Sequence, residues 1–396
     1  MHIIESGNVA AAMGVKLAGA QVIAAYPITP QTPLTEKLSE LVDGGEMDAQ
    51  YIPVESEHSA MSVCIAASST GARAFTATSA NGLLYMNEQL HWAAGARLPI
   101  VMCVVNRGIG APWTVWNDHQ DAVSQRDTGW IQIFCCDHQQ IIDTVIQAFQ
   151  LAETVRIPVM VCYDGYILSH TYMPFEVPKQ ADVNKFLPAF ESGWALDTAR
   201  PQNLNTVTLP EPRPDVRGNT APAYMEIRHN LQTDLRRTVD EVLKTDSRFL
   251  KIFNRGGNPF IEPYRCGDAD YVAVAMGSLS YQMRDVVDAL RKQGIPVGSA
   301  GLRLHRPFPD RAVAEFFSGK KGVIVMEKAL SYGYKGALYT DIKAALYKSE
   351  TRPEVKNFIL GLGGREIKTG DLYDVLKTAC TATESQENPV FVGLKL

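Results

Sequence analysis

Glu55-Ser56-Glu57-His58 places two carboxylates and an imidazole at the start of an alanine-rich segment with the composition of a helix. A carboxyl group at that position can hold or relay a proton. The plainer alternative is a first helical turn whose dipole favours an anion by roughly 0.3–1 kcal/mol. Upstream, the apolar run Val22 to Ala25 halts at Tyr26-Pro27-Ile28-Thr29-Pro30. Each proline fixes its own φ and pushes the preceding residue away from helix, so Thr29 is held in a rigid turn at a strand end. Arg107 closes another apolar run, Val101 to Asn106. A guanidinium there suits bidentate binding of a carboxylate, and the Thr29 hydroxyl can donate to a carboxylate or carbonyl oxygen. A surface arginine and a threonine bonded to its own turn would account for the same residues.

Other polar segments are less telling. Asn117-Asp118-His119-Gln120-Asp121 follows Pro112-Trp113-Thr114-Val115-Trp116 and is too crowded locally for a triad or a metal site; it reads as a loop that shapes a pocket. His91, Trp92 and His170 read as packing residues. Gly361-Leu362-Gly363-Gly364 lacks the lysine of a phosphate loop and the full dinucleotide spacing, so a tight turn is the better reading. The seven cysteines sit largely in apolar runs and none forms a C-x₂-C pair, which disfavours an iron–sulfur or zinc site in this chain.

Positioning such residues requires strands that end at one edge. Helices are predicted over Asn8–Gly19, Glu57–Ser69, Asn81–Ala94 and Gln140–Val155, and strands over Val22–Ala25, Ala72–Ser79, Leu98–Asn106 and Ile157–Tyr163. Apolar strands alternating with helices mean a parallel sheet covered on both faces. Between about Met173 and Tyr224 eight prolines interrupt any period, which reads as an extended connector. Its Phe175, Phe186, Phe190 and Trp194 argue for an arm wrapped on the body. Beyond it a charged helix, Met225–Phe253, leads into a second α/β unit. This unit has strands at Tyr271–Met276, Gly322–Glu327 and Asn357–Leu360, and helices at Tyr281–Gln293, Gly336–Tyr347 and Asp371–Thr378. Arg303-Leu304-His305-Arg306-Pro307-Phe308-Pro309 reads as a structural turn.

The bulk numbers exclude several classes. The chain has 396 residues, 46% of them hydrophobic and 20% charged, as in an ordinary globular protein of two or three domains. A net charge of −5 and a pI near 5.9 speak against nucleic acid or an anionic membrane surface as partner. With an odd cysteine count, no export signal and no long apolar span, a cytoplasmic setting without membrane insertion is expected.

The Tyr26–Pro30 turn followed by Val54-Glu55-Ser56-Glu57-His58-Ser59-Ala60-Met61 closely resembles the alpha chain of the pyruvate:ferredoxin oxidoreductase (2-oxoacid:acceptor oxidoreductase) family. The resemblance is strongest over 26–170 and 273–364. It implies a pyrimidine-type thiamine-diphosphate-binding domain with a doubly wound parallel sheet (1–172), a connector and helix (173–254), and a transketolase C-terminal-like α/β domain (255–396). It implies oxidative decarboxylation of a 2-oxoacid, pyruvate foremost, to acyl-CoA and CO₂; an aryl 2-oxoacid such as phenylglyoxylate, or a non-catalytic scaffold role, are the alternatives. By this resemblance Glu57 is the glutamate that exchanges a proton with the cofactor's aminopyrimidine, with Glu55 as the other candidate, and Pro27 and Ile28 contact the cofactor. Thr29 and Arg107 bind the oxoacid, while Asn117, Asp118 and His119 shape the pocket. The family's Gly-Asp-Gly motif with its downstream asparagines is missing; Asp164-Gly165 follows Tyr163 and has no such pair. A partner β subunit is therefore expected to hold the Mg²⁺–diphosphate half, and γ and ferredoxin-like subunits the iron–sulfur clusters, with ferredoxin or NAD as final acceptor. No metal is expected in this chain.

Overall fold

Strand-forming runs of the first half assemble into a seven-stranded sheet in the computed structural model, which describes residues 1–193, 195, 208, 210–214, 220–381 and 386–396. The chain begins with β1 (His2–Ser6), α1 (Gly7–Ala18), β2 (Val22–Ala25), α2 (Thr32–Asp43), β3 (Gln50–Pro53), α3 (Glu57–Ser69) and β4 (Ala74–Thr78). It continues through α4 (Ala80–Tyr85), α5 (Asn87–Gly95), β5 (Val101–Asn106), α6 (Gln120–Ser124), β6 (Ile131–Phe134), α7 (His138–Val155) and β7 (Val159–Asp164). Next come β8 (Tyr172–Glu176), α8 (Gln180–Phe186), the short β9 (Arg213–Pro214) and β10 (Thr220–Ala221), and the long α9 (Tyr224–Phe253). The last part is β11 (Ile261–Tyr264), β12 (Tyr271–Ala275), α10 (Ser278–Arg291), β13 (Val297–Leu302), β14 (Leu304–Arg306) and α11 (Asp310–Phe317). It closes with β15 (Gly322–Glu327), α12 (Ala337–Leu346), β16 (Glu354–Ile359), α13 (Thr369–Thr381) and β17 (Val390–Phe391).

The first sheet runs β14-β6-β7-β5-β4-β2-β3, parallel throughout except at β14. Its central strands β4, β5, β6 and β7 are buried along their whole length. Helix α1 packs against both α2 and α7, and α3, α4 and α5 form a separate set of mutual neighbours, as two covered faces require. Local chemistry fixes the ends. Ser6 accepts from Val9 N to cap α1, which stops at Gly19 in the left-handed region (φ 67°), and Ser56 accepts from Ser59 N to cap α3. The second sheet runs β11-β13-β12-β15-β16-β17, parallel apart from β11.

Several expectations change. The helix expected over Asn81–Ala94 is two helices, separated at Met86. The 173–224 stretch is not patternless: β8 pairs antiparallel with β1, and α8 follows. Phe175 and Phe186 are buried and Phe190 is half-buried, whereas Trp194 and Pro201 lie outside the described residues. His91, Trp92 and His170 are exposed and so lie outside the core, though the His170 ring still stands 4.9 Å from that of Tyr166. The Arg303–Pro309 segment is not merely a turn. Its Leu304–Arg306 part is an edge strand of the first sheet, with buried His305 bonded to Gln132 Oε1 at 2.9 Å.

Phe186 is wedged edge-on between Phe249 and Phe253 of α9, with ring centroids 5.2 and 6.1 Å away. Phe186→Ala should cost about 3–5 kcal/mol, the usual size for an emptied aromatic site. Urea unfolding checks this, and a loss below about 1 kcal/mol would mean that the segment is not anchored by this ring.

Candidate functional site

Strand order locates the crevices before any side chain is considered. From β2 the chain moves outward to β3, then crosses back over β2 to β4, so the carboxyl ends of β2 and β4 form a switch point. A second lies between β5 and β7, because the chain passes over β7 to reach β6 and then returns. The residues singled out by sequence fall at these two places.

At the first switch point the turn after β2 carries Pro27 and Thr29, which are exposed, and Ile28, which is half-buried. Gln31 is fully buried and ties the turn to the sheet, accepting from Ile28 N at 3.2 Å and donating to Ala77 O at 3.1 Å. Glu57, the first residue of α3, is only 6% exposed. Its carboxyl group reaches toward Gly82 of α4: a Cβ at Gly82 would collide with Glu57 Oε1 and come within 2.7 Å of Thr78 Oγ1. The missing side chain leaves room for both oxygens. The hydroxyls of Thr78 and Ser79 are buried without a hydrogen-bond partner among the described residues. Burial raises the Glu57 carboxyl above its ordinary pKa. Glu55 behaves oppositely: it is exposed, and a hydrogen bond from Ser59 Oγ lowers its pKa.

Arg107 joins the two switch points. Its Nη1 donates to Thr29 O at 2.7 Å and its Nε to Thr114 O at 2.9 Å, while Nη2 makes no hydrogen bond among the described residues. The Trp113 ring lies 5.4 Å from its Cζ. Burial lowers its pKa, and even so a guanidinium stays charged. Beneath it, fully buried Asp121 accepts from the amides of Arg107 (2.9 Å) and Ala80 (3.0 Å) and from Asn106 Nδ2 (2.8 Å). Burial raises that carboxyl to about 6 against those donors.

Asn117, Asp118 and His119 are buried below this loop. His119 Nε2 pairs with Asp164 Oδ1, and Asn117 Nδ2 donates to the same oxygen at 3.1 Å. The other oxygen of Asp164 accepts from Ser278 N at 2.7 Å, where α10 begins, and faces Lys328 Nζ at 3.5 Å. Burial pushes the Asp164 pKa up, but Lys328 and His119 outweigh it and hold the carboxyl far below the usual range. Gly277 permits the approach: at φ 64° its Cβ would stand 2.8 Å from Asp164 Oδ2. Asp118 accepts from Gly363 N at 2.9 Å, and burial raises its pKa.

Sequence reasoning missed Gly82 and Lys328. Lys328 had a signal, since it follows an apolar strand as Arg107 does. Gly82 had none, because its role depends on a side chain from another helix. A concavity of about 890 Å³ lies between α9 and residues such as Arg126 and Arg306, and includes none of Glu57, Thr29 and Arg107.

Comparison with known proteins places this geometry. The family described as pyruvate flavodoxin/ferredoxin oxidoreductase, thiamine diphosphate-binding, matches residues 13–233, and the pyruvate:ferredoxin oxidoreductase core domain II matches 269–372. The ketoisovalerate oxidoreductase subunit VorA of Pyrococcus abyssi is 45% identical over 96% of this chain and 94% of its own. The pyruvate synthase subunit PorA of Methanocaldococcus jannaschii is 44% identical over 98% and 97%. Among solved structures, 2-oxoglutarate:ferredoxin oxidoreductase from Magnetococcus marinus, with 2-oxoglutarate, coenzyme A and succinyl-CoA bound, has a TM-score of 0.72 at 22% identity. That match covers 96% of this chain but 65% of the longer one. An inactive β4 tetramer of a split-gene transketolase has a TM-score of 0.56 at 11% identity, covering 95% and 98% of the two chains. These two likenesses speak for the fold alone. Identity at this level over nearly the whole chain makes it a member of the pyruvate flavodoxin/ferredoxin oxidoreductase family, the catalytic alpha subunit of a multi-subunit 2-oxoacid:ferredoxin oxidoreductase with a thiamine-diphosphate-binding domain.

Proposed function

We propose that this subunit supplies the pyrimidine half of a shared thiamine diphosphate site, and that the assembled enzyme converts a 2-oxoacid, pyruvate foremost, with CoA to acyl-CoA and CO₂. The observation that carries the reading is the buried Glu57 carboxyl, facing the space over Gly82 with no ion-pair partner among the described residues. Bound there, thiamine diphosphate supplies the carbon nucleophile that a decarboxylation needs. Glu57 would hold a proton toward a ring nitrogen, and its raised pKa suits a group that must both give and take it. Pro27 and Ile28 would border the ring. The free Nη2 of Arg107 and the Thr29 hydroxyl would receive the oxoacid carboxylate, and one guanidinium fits a monocarboxylate.

The diphosphate half is a different matter. Asp164 has both oxygens committed to His119, Asn117, Ser278 and Lys328, so it offers no open carboxylate for Mg²⁺. We assign that half to a β subunit, and the iron–sulfur clusters to further subunits that pass electrons to ferredoxin or NAD. Exposed Trp113 (81%), Trp116 (54%) and Tyr172 (68%) are the kind of surface such a partner covers. The domain limits 1–172, 173–254 and 255–396 belong to the same proposal. Among the described residues no helix is long and apolar enough to cross a membrane.

A branched 2-oxoacid is the second reading, because the relatives named for ketoisovalerate and for pyruvate are equally similar. The assembled complex, given CoA, an artificial electron acceptor and either pyruvate, 3-methyl-2-oxobutanoate or phenylglyoxylate, is expected to turn over pyruvate fastest. Faster reduction with the branched acid would reverse the order. The isolated chain is expected to show no Mg²⁺-dependent thiamine diphosphate binding by calorimetry at micromolar concentrations, and a clear isotherm there would overturn the shared site.

A further inference from the structure

The loop that frames Arg107 is held from far along the chain. Asn117 is its hub, and every polar atom of its side chain is used. Its two N–H groups go to Asn106 O and Asp164 Oδ1, both at 3.1 Å, and its Oδ1 accepts from Lys328 Nζ at 2.9 Å. Four more hydrogen bonds tie residues 117–120 to the second half of the chain. His119 N donates to Lys328 O (2.9 Å), Leu330 N to Gln120 Oε1 (2.9 Å), Gly364 N to Asn117 O (2.7 Å) and Gly363 N to Asp118 Oδ2 (2.9 Å).

The same loop grips Arg107 on three sides. Asn117 holds the carbonyl of Asn106, the residue before it; Trp116 O accepts from Gly108 N, the residue after it, at 2.9 Å; and Thr114 O holds its Nε. One amide thus links the Lys328 ammonium to the peptide bond that carries Arg107. Lys328 itself is 2% exposed, an ammonium buried among Asp164, Asp118, His119 and Asn117. A buried ion pair by itself is a poor source of stability, so a lysine kept there needs another reason.

We propose that Lys328 is a positioning residue for the 2-oxoacid: through Asn117 it sets the place of the Arg107 guanidinium, so that the second unit of the fold tunes substrate affinity in the first. This rests on the carboxylate-binding role of Arg107 given above. The test is steady-state kinetics on the assembled complex carrying Lys328→Met, Gly364→Ala or Arg107→Lys. Gly364 is exposed at φ 75°, and a methyl group there would collide with Trp116 and shift the loop without touching the ion cluster; the strain falls on a surface turn, so this variant disturbs the loop even if Lys328→Met does not fold. Both second-unit variants should raise KM for the 2-oxoacid by about 10- to 100-fold, the scale of a substrate group misplaced by an ångström. The KM for CoA should not change, and kcat should change far less than the oxoacid KM. A role in stability alone would lower the melting temperature and leave the oxoacid KM in place. An unchanged oxoacid KM in Gly364→Ala and in any Lys328→Met complex that assembles, with Arg107→Lys impaired, would overturn the inference alone. An unchanged KM in Arg107→Lys as well would overturn the underlying role of Arg107.

Discussion

Glu57→Gln in the assembled complex should lower turnover by about 10²-fold or more, the usual size of lost acid–base assistance, while thiamine diphosphate stays bound. The amide keeps the shape that fits over Gly82 but cannot relay a proton. Glu55→Gln should be close to silent, because Glu55 is exposed and bonded to Ser59 in the first turn of α3. Cofactor content measured alongside single-turnover decarboxylation separates binding from chemistry. Full activity in Glu57→Gln with an inactive Glu55→Gln would move the role to Glu55.

Arg107→Met should lower kcat/KM for the oxoacid by an amount equivalent to about 2–4 kcal/mol, combining a lost charged hydrogen bond with stranded acceptors. Two of those acceptors are the carbonyls of Thr29 and Thr114, so some of the loss will appear as a lower melting temperature. Arg107→Lys divides the two contributions. An ammonium keeps the charge but cannot bond both carbonyls and still present a planar edge to a carboxylate. Its KM should therefore rise well beyond any change in stability, and a normal KM in both variants would exclude the carboxylate role.

Much of the fold can be read locally. β2 and β15 occupy the residues expected, and α3 begins at Glu57 because Ser56 caps it. The elements that escaped have physical reasons to do so. β13 is Val-Gly-Ser-Ala-Gly-Leu, wholly buried yet built mostly of small residues, so neither alternation nor an apolar run marks it. β3 is a largely exposed edge strand ending in Pro53, and α2 starts at Thr32-Pro33, where a proline that signals a turn also suits the first turn of a helix. In the site, the positions of Thr29 and Arg107 at strand ends were legible because each follows or closes an apolar run, and that of Glu57 because it opens an alanine-rich helix. What joins them was not. The bond from Lys328 to Asn117 spans 211 positions and the one from Gly363 to Asp118 spans 245, and no local pattern encodes such pairs.

The strand Leu304–Arg306 has a consequence for how the protein is made. It closes the outer edge of β6, and its neighbouring bond from His305 to Gln132 spans 173 positions. While the ribosome is still adding the second unit, the first therefore exists with that edge unpaired, and an open edge is a template for pairing with another chain. A nascent chain in this state depends on rapid arrival of the remainder, or on a chaperone, to stay monomeric. The loop closure that brings residue 304 back to residue 133 is entropically costly and falls late in folding. The first unit is thus completed only as the last third of the chain emerges, because the strand that closes its sheet and the lysine bonded to Asn117 both come from it.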